Sequence, residues 1–220
     1  MIFQKKKTVF EINKLSTRVV SEKMGCDRGT PIDRYYIEKF LEENSQYITG
    51  NVMEIGDNSY TLKYGKNVEN SFILTQDIGR GISNAIVGDL ATGEGCEDEL
   101  LDCFILTQTL PFIYDVNSAA QNVVKMLKKG GTALVTVRGI SMISQYDNSR
   151  WGDYWGFTET SLRRLFSKYV DENNITVQTH GNPKVAAAFL YGMSQEDIQE
   201  KDLYDDDSLC PVIITAKVTK

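Results

Sequence analysis

Acidic residues recur where the apolar runs of this chain end. NVMEIG, SFILTQD, NAIVGDL and LDCFILTQTL each read as a short buried strand. They deliver Glu54, Gly56 and Asp57, then Asp77, then Asp89 with Leu90, then Gln108 and Thr109 to their carboxyl ends. In an open α/β sheet, ligands sit just outside those ends. A carboxylate there can accept two hydrogen bonds from vicinal ribose hydroxyls, and a neighbouring one can accept from an amino group. A pyrophosphate would be repelled by such an edge. The turn GDNSYTLKYG also lacks the G-x-G-x-x-G spacing that brings backbone amides up to phosphates. The pattern favours a nucleoside that has no phosphate and carries cationic groups. A single aspartate at a strand end is more often a turn or cap residue; its recurrence at consecutive strands is what points to a ligand.

The elements that must hold these residues alternate. RGTPIDRYYIEKFLEEN predicts a helix, with Thr30 as cap, Pro31 at the first helical position and Asp33 at the positive end. Ile32, Tyr36, Ile37, Phe40 and Leu41 would form its apolar face. After the fourth strand, VNSAAQNVVKMLKKGG predicts a helix closed by Lys128, Lys129 and a glycine, Gly130 or Gly131. TALVTV follows as a strand, then TETSLRRLFSKYV as a helix, NITVQTH as a strand, VAAAFLYGM as a helix and PVIITAKV as the last strand. Near-continuous apolar strands alternating with helices predict an α/β, Rossmann-like three-layer sandwich with a mostly parallel sheet. The acidic stretch from Glu196 to Asp207 reads as a solvated connection.

Composition narrows the rest. The 220 residues, 41% hydrophobic and 25% charged, suit one globular domain. Its expected limits are 26–220, preceded by a weakly patterned N-terminal arm at 1–25. A net charge of −6 argues against capture of a nucleic-acid backbone. No apolar run reaches the length of about 20 residues that spans a bilayer, and MIFQKKKTVFEINKL lacks the apolar core of a secretory signal. Cys26, Cys96, Cys103 and Cys210 form no C-x-x-C pair and read as reduced thiols, so a cytoplasmic protein is expected. With a single histidine, a metal site is not expected.

VMEIGD, NAIVGDL, LDCFILTQTLPFIYD and VVKMLKKGGTALVTV resemble, in order and interval, the motifs of class I S-adenosylmethionine-dependent methyltransferases. RGTPIDRYYIEKFLEEN, WGDYWGFTETSLRRLF and HGNPKVAAAFLYGM resemble a bacterial subgroup associated with glycan and polysaccharide assembly; the likeness runs from about Arg28 onward. It implies S-adenosylmethionine as cofactor and a seven-stranded sheet whose last strand lies antiparallel between the fifth and sixth. It also implies roles: Gly56 beside the methionine part, with Glu54 holding that turn and the amino group. Asp77 would bind the ribose, Asp89 and Leu90 would lie near the adenine, and Gln108 and Thr109 near the methyl group. The family's second glycine is replaced here, since Asp57 and Asn58 follow Gly56.

Methyl transfer needs mainly alignment, and a hydroxyl acceptor adds the need for a general base. His180, Asp153 and Tyr154 are the candidates for that base, although His180 reads more readily as a surface loop histidine. Trp151 and Trp155 could stack on a small-molecule or glycan acceptor, or simply pin a loop. Arg34 and Tyr35 could reach the cofactor carboxylate or the acceptor, or serve packing. The leading expectation is O-methylation of a sugar or other small molecule. The alternative is a non-catalytic module of the same fold that binds a glycan-biosynthesis partner such as a glycosyltransferase, which the replaced glycine favours. An unrelated nicotinamide-type oxidoreductase is disfavoured by the missing phosphate turn.

Overall fold

The computed structural model describes residues 14–76 and 84–220. The strands are β1 (Gly50–Ile55), β2 (Val68–Thr75), β3 (Ala85–Val87), β4 (Leu101–Thr107), β5 (Leu127–Arg138), β6 (Ile175–His180) and β7 (Ile213–Thr219). The helices are α1 (Ile32–Glu43), α2 (Ser59–Tyr64), α3 (Val116–Met126), α4 (Gln145–Trp151), α5 (Glu159–Phe166) and α6 (Pro183–Leu190). The strands form one sheet in the order β3-β2-β1-β4-β5-β7-β6. All neighbours pair parallel except β7, which runs antiparallel to both β5 and β6. This is the Rossmann-like architecture expected from the sequence.

Alternation along the central strands fills both faces. Met53, Phe104, Ala133 and Val135 point toward α3 and α5, where Ala119, Val123, Leu162 and Phe166 meet them. Val52, Cys103, Ile105 and Leu134 point the other way, against Ile37, Phe40 and Leu41 of α1 and Tyr60 of α2. Further along, Val185 and Phe189 of α6 join Ile32 and Tyr36. Successive residues of a strand face opposite sides, so such continuous apolar runs signal a sheet covered twice. Cys103 lies at 0% exposure, and burial pushes its thiol far up, so it is inert packing.

Helix starts are set by local chemistry. Asp115 accepts from Ser118 N at the start of α3, and Thr158 and Ser161 cap α5 reciprocally. Asn182 accepts from both Lys184 N and Val185 N, and Pro183 takes the first helical position of α6.

Several local expectations change. Thr30 does not cap α1; its amide and hydroxyl both donate to Glu196. The segment from Leu127 through Gly131 is not a helix end. Leu127 already pairs with Leu101, and Lys128 meets Asp102 at 2.6 Å, so the lysines and glycines open a bulged β5. The acidic stretch is not a free connection either. Glu196 holds Thr30, Asp197 pairs with Arg28, Asp202 with Lys184, and Asp206 accepts from Gly181 N. It straps the segment before α1 to the start of α6. The expected N-terminal arm lies partly outside the described residues. From Lys14 on it runs along the end of α6, where Val20 N donates to Tyr191 O and Ser21 is buried.

Candidate functional site

A cavity of about 290 Å³ opens at the carboxyl ends of β1 and β4. Asp33, Arg34 and Ile37 of α1, Glu54, Ile55 and Asp57 of the first strand and its turn, and Ser59 and Tyr60 of α2 line it. Ile105, Thr107 and Gln108 of the β4 end complete the wall with Asp147 of α4. Its place is the one open α/β sheets give to ligands, where neighbouring connections leave in opposite directions.

The turn after β1 is built around Glu54. This carboxylate is 3% exposed and accepts hydrogen bonds from the amides of Tyr60 (3.2 Å) and Thr61, the otherwise unpaired donors at the start of α2. Burial keeps its carboxyl above the ordinary carboxylate range, although these amides oppose the shift. Glu54 thereby fixes how the chain leaves the sheet. Gly56 follows with φ +78°, and a Cβ built there would meet no protein atom within 4 Å. The left-handed backbone suits glycine, and the space beside it is open.

Asn58 stands two residues beyond Gly56, yet its φ of −125° is ordinary for any residue. Its side-chain amide donates to Ser71 Oγ on β2 at 3.0 Å, and it is not among the residues lining the cavity. The residue replacing the glycine therefore leaves the cavity clear. Asp57 accepts from Ser59 N at 2.9 Å and keeps lone pairs toward the cavity.

Arg34 brings the opposite charge. Its guanidinium donates to the Tyr60 hydroxyl and lies 5.5 Å from that ring's centroid. Burial pushes the Tyr60 hydroxyl up to about 12, against the pull of Arg34. Asp33 is also held above the ordinary carboxylate range by burial. The cavity therefore combines one guanidinium with carboxylates from α1, the β1 turn and α4, a lining suited to a ligand carrying both charges.

Gln108 holds an unusual backbone. At φ +48° it is one of the few non-glycine residues in the left-handed region, and its amide donates to Thr136 O at 2.8 Å. Its side-chain nitrogen donates to Thr136 Oγ1 at 3.2 Å. Thr109 turns back to donate to Thr107 O and does not line the cavity. Asp89 accepts from Ala91 N at 2.7 Å, closing the turn after β3, while Leu90 is buried in the main core. Asp77 lies outside the described residues.

The three proposed bases fall elsewhere. His180 ends β6, and β7 and β5 separate it from β4, a lateral offset of about 14 Å at ordinary strand spacing. It stacks on Tyr36, contacts Thr215 Oγ1 at 3.1 Å and Asp206 at 3.3 Å, and burial lowers its pKa. Asp153 is locked by the two terminal guanidinium nitrogens of Arg138, one at 2.6 Å, with the carboxylate 1% exposed. Tyr154 is half exposed and its amide bonds to Pro111 O. Trp155 donates its indole N–H to Ile113 O at 3.1 Å and stacks on Tyr114. Trp151 leans on Phe112 and Tyr146. These contacts pin the loop to the segment after β4, yet they leave the rings half exposed. Tyr35 packs against Tyr36 and Tyr204 on the strap side of α1 and is not among the cavity residues.

Two of the cavity's carboxylates are not among the site residues expected from the sequence. Asp33 reads there only as a favourable charge at the start of α1. Asp147 sits in a short helix with no apolar stripe; its one signal was Ser144 three residues earlier, whose hydroxyl accepts Asp147 N and caps α4. A second cleft of about 310 Å³ lies among Asn182, Asp202, Asp205, Asp206 and Asp207. Asp202, Asp206 and Asp207 are already committed there, to Lys184, to Gly181 with His180, and to Leu209 N. Among the described residues no cluster of ligating side chains could hold a metal ion, and no helix is long and apolar enough to cross a membrane.

No protein-family model matches the chain, and no curated protein sequence matches it. Solved structures do. N-methyltransferase NodS from Bradyrhizobium japonicum WM9, in complex with S-adenosyl-L-homocysteine, aligns with TM-score 0.55 and 15% identity over 91% of this chain and 93% of that one. A SAM-dependent methyltransferase from Archaeoglobus fulgidus aligns with TM-score 0.54 and 12% identity over 85% and 94%. The plantazolicin methyltransferase BpumL, in complex with S-adenosylhomocysteine, aligns with TM-score 0.53 and 10% identity over 88% and 86%. At such identities the likeness establishes the fold, which is that of class I S-adenosylmethionine-dependent methyltransferases.

Proposed function

We propose that this chain is an S-adenosylmethionine-dependent methyltransferase acting on a hydroxyl of a sugar, a glycan or another small molecule. One observation carries the reading: the cavity at the ends of β1 and β4 sets the Arg34 guanidinium opposite in charge to Asp33, Asp57 and Asp147, beside open space at Gly56. An amino-acid zwitterion attached to a nucleoside fits that lining. Arg34 would take its carboxylate, and Asp57 with Asp33 would take its ammonium. Glu54 would hold the turn between them. Asp77 would bind the ribose, Asp89 would border the adenine, and Gln108 would lie near the methyl group, with Leu90 and Thr109 supporting them from the core and the turn. The likeness to methyltransferases solved with S-adenosylhomocysteine supports the same ligand.

When bound, S-adenosylmethionine supplies a methyl carbon already activated by its sulfonium, so the protein's work is alignment and water exclusion. The Gln108 backbone, held by Thr136, and the Glu54-braced turn are rigid supports for that task. Trp151, Tyr154 and Trp155 would border the acceptor. The subgroup resemblance supports an acceptor from polysaccharide assembly, met in the cytoplasm with a glycosyltransferase as neighbour.

Isothermal titration with S-adenosylhomocysteine, with NAD as control, tests the reading. Micromolar binding of the former alone is expected, weakened at least tenfold by Arg34→Met. Binding of NAD alone, or of neither compound, would overturn it. A non-catalytic module would bind the nucleoside yet move no labelled methyl to any acceptor.

A further inference from the structure

Resting on that reading, we propose that Asp147 is the acceptor-side carboxylate of the cavity, taking the proton from a hydroxyl of an uncharged, polyhydroxylated ring. Asp147 is the one residue after β5 that lines the cavity, and it shares the wall with Thr107 and Gln108. Its backbone is fixed by the Ser144 cap. Among the described residues its carboxylate enters no ion pair or side-chain hydrogen bond. Asp153, six residues on, is the opposite case: Arg138 holds it in the protein interior.

The surroundings of Asp147 select the acceptor. Tyr146 and Trp151 stand on the same helix and pack together, while Tyr114, Tyr154 and Trp155 pack as a second aromatic cluster, every ring at least one-third exposed. Flat apolar faces beside carboxylate acceptors suit a sugar, whose C–H face stacks while its hydroxyls donate. A phosphorylated or carboxylated acceptor would meet Asp33, Asp57 and Asp147, with Arg34 as the counter-charge in the cavity wall. A neutral polyol avoids that penalty. In the reaction the acceptor oxygen forms a bond to the methyl carbon while the carbon–sulfur bond breaks and its electron pair stays on sulfur. The hydroxyl proton passes to Asp147 and from there to water.

The first test needs no turnover. Sinefungin places an amine where the transferable methyl sits, whereas S-adenosylhomocysteine has nothing there. Calorimetry on the wild-type chain should show sinefungin binding at least tenfold tighter, as a charge-assisted hydrogen bond provides. In Asp147→Asn the two affinities should come within threefold, with S-adenosylhomocysteine unchanged and the melting temperature kept; Asp147→Glu should restore part of the preference. An undiminished preference in Asp147→Asn, or none in the wild type, would overturn the proposal. Binding of neither nucleoside would instead fell the methyl-donor reading, and this role with it. The second test is saturation-transfer NMR on the S-adenosylhomocysteine complex with methyl hexosides and hexose 6-phosphates. Signal from the neutral hexosides, weakened by Trp151→Ala, is expected; preference for the phosphates, or no signal from any hexoside, would remove the polyol assignment.

Discussion

Replacing Asp153 by alanine separates a buried structural carboxylate from a catalytic one. The side chain is 1% exposed and Arg138 is 12% exposed, so truncation strands a guanidinium that has little access to water. Two charge-assisted hydrogen bonds disappear, each worth about 1.5–3 kcal/mol. The bond from Arg138 Nε to Trp155 O, 3.2 Å, is then the one side-chain hydrogen bond left to that guanidinium among the described residues. Losing one member of such a pair costs about 3–5 kcal/mol. For a chain of this size that lowers the melting temperature by roughly 6–20 °C. The assay is urea unfolding followed by two probes. Trp151 and Trp155 are the only tryptophans in the sequence and flank Asp153, so fluorescence reports this loop while far-ultraviolet circular dichroism reports the whole fold. Arg138→Met combined with Asp153→Ala should recover at least half of the loss, since the stranded charge is gone. A cost below about 1 kcal/mol would refute the argument. So would a hundredfold loss of methyl transfer at unchanged stability, which would return Asp153 to the chemistry.

Three further outcomes are expected. Gly56→Ala should cost about 1–2 kcal/mol in stability from its left-handed backbone alone, while S-adenosylhomocysteine affinity, measured by calorimetry, should fall more than tenfold; undiminished affinity would mean the ligand keeps clear of this turn. Burial depresses the His180 pKa, so the unfolded chain binds this proton more readily than the folded one. Its stabilising contribution is present above the unfolded value of about 6.5 and fades as pH falls through the lowered folded value. Melting temperatures at pH 7.5 and 5.5 should diverge less in His180→Gln than in the wild type, and an equal drop would refute the assignment. Asp77→Ala should weaken S-adenosylhomocysteine binding more than tenfold through loss of a bidentate acceptor; an unchanged dissociation constant would assign the ribose to another residue.

Much of the architecture was legible in the sequence because the core strands are apolar on both faces. Val52 and Met53, or Phe104 and Ile105, face opposite layers, and only a doubly covered sheet accommodates both. Periodicity carries no lateral order, however. His180 and Gln108 both stand at carboxyl ends of strands, yet strand order separates them by three positions. The strap from Glu196 to Asp207 looked solvated because Arg28, Thr30 and His180 are remote in sequence and meet it only in the folded chain. The site was partly legible for the same reason. Glu54, Gly56 and Asp57 belong to one strand and its turn, so a local motif exposes them. Asp147 reaches the same cavity from a short helix whose sequence, QYDNSRW, carries no apolar stripe to announce it.

The reversed strand β7 also makes β6 a dependent margin. Among the described residues β6 has β7 as its sole neighbour in the sheet, so its ladder exists only where β7 is in place. Amide protons of β6 should exchange no more slowly than those of β7, which makes that margin the hinge of any partial opening.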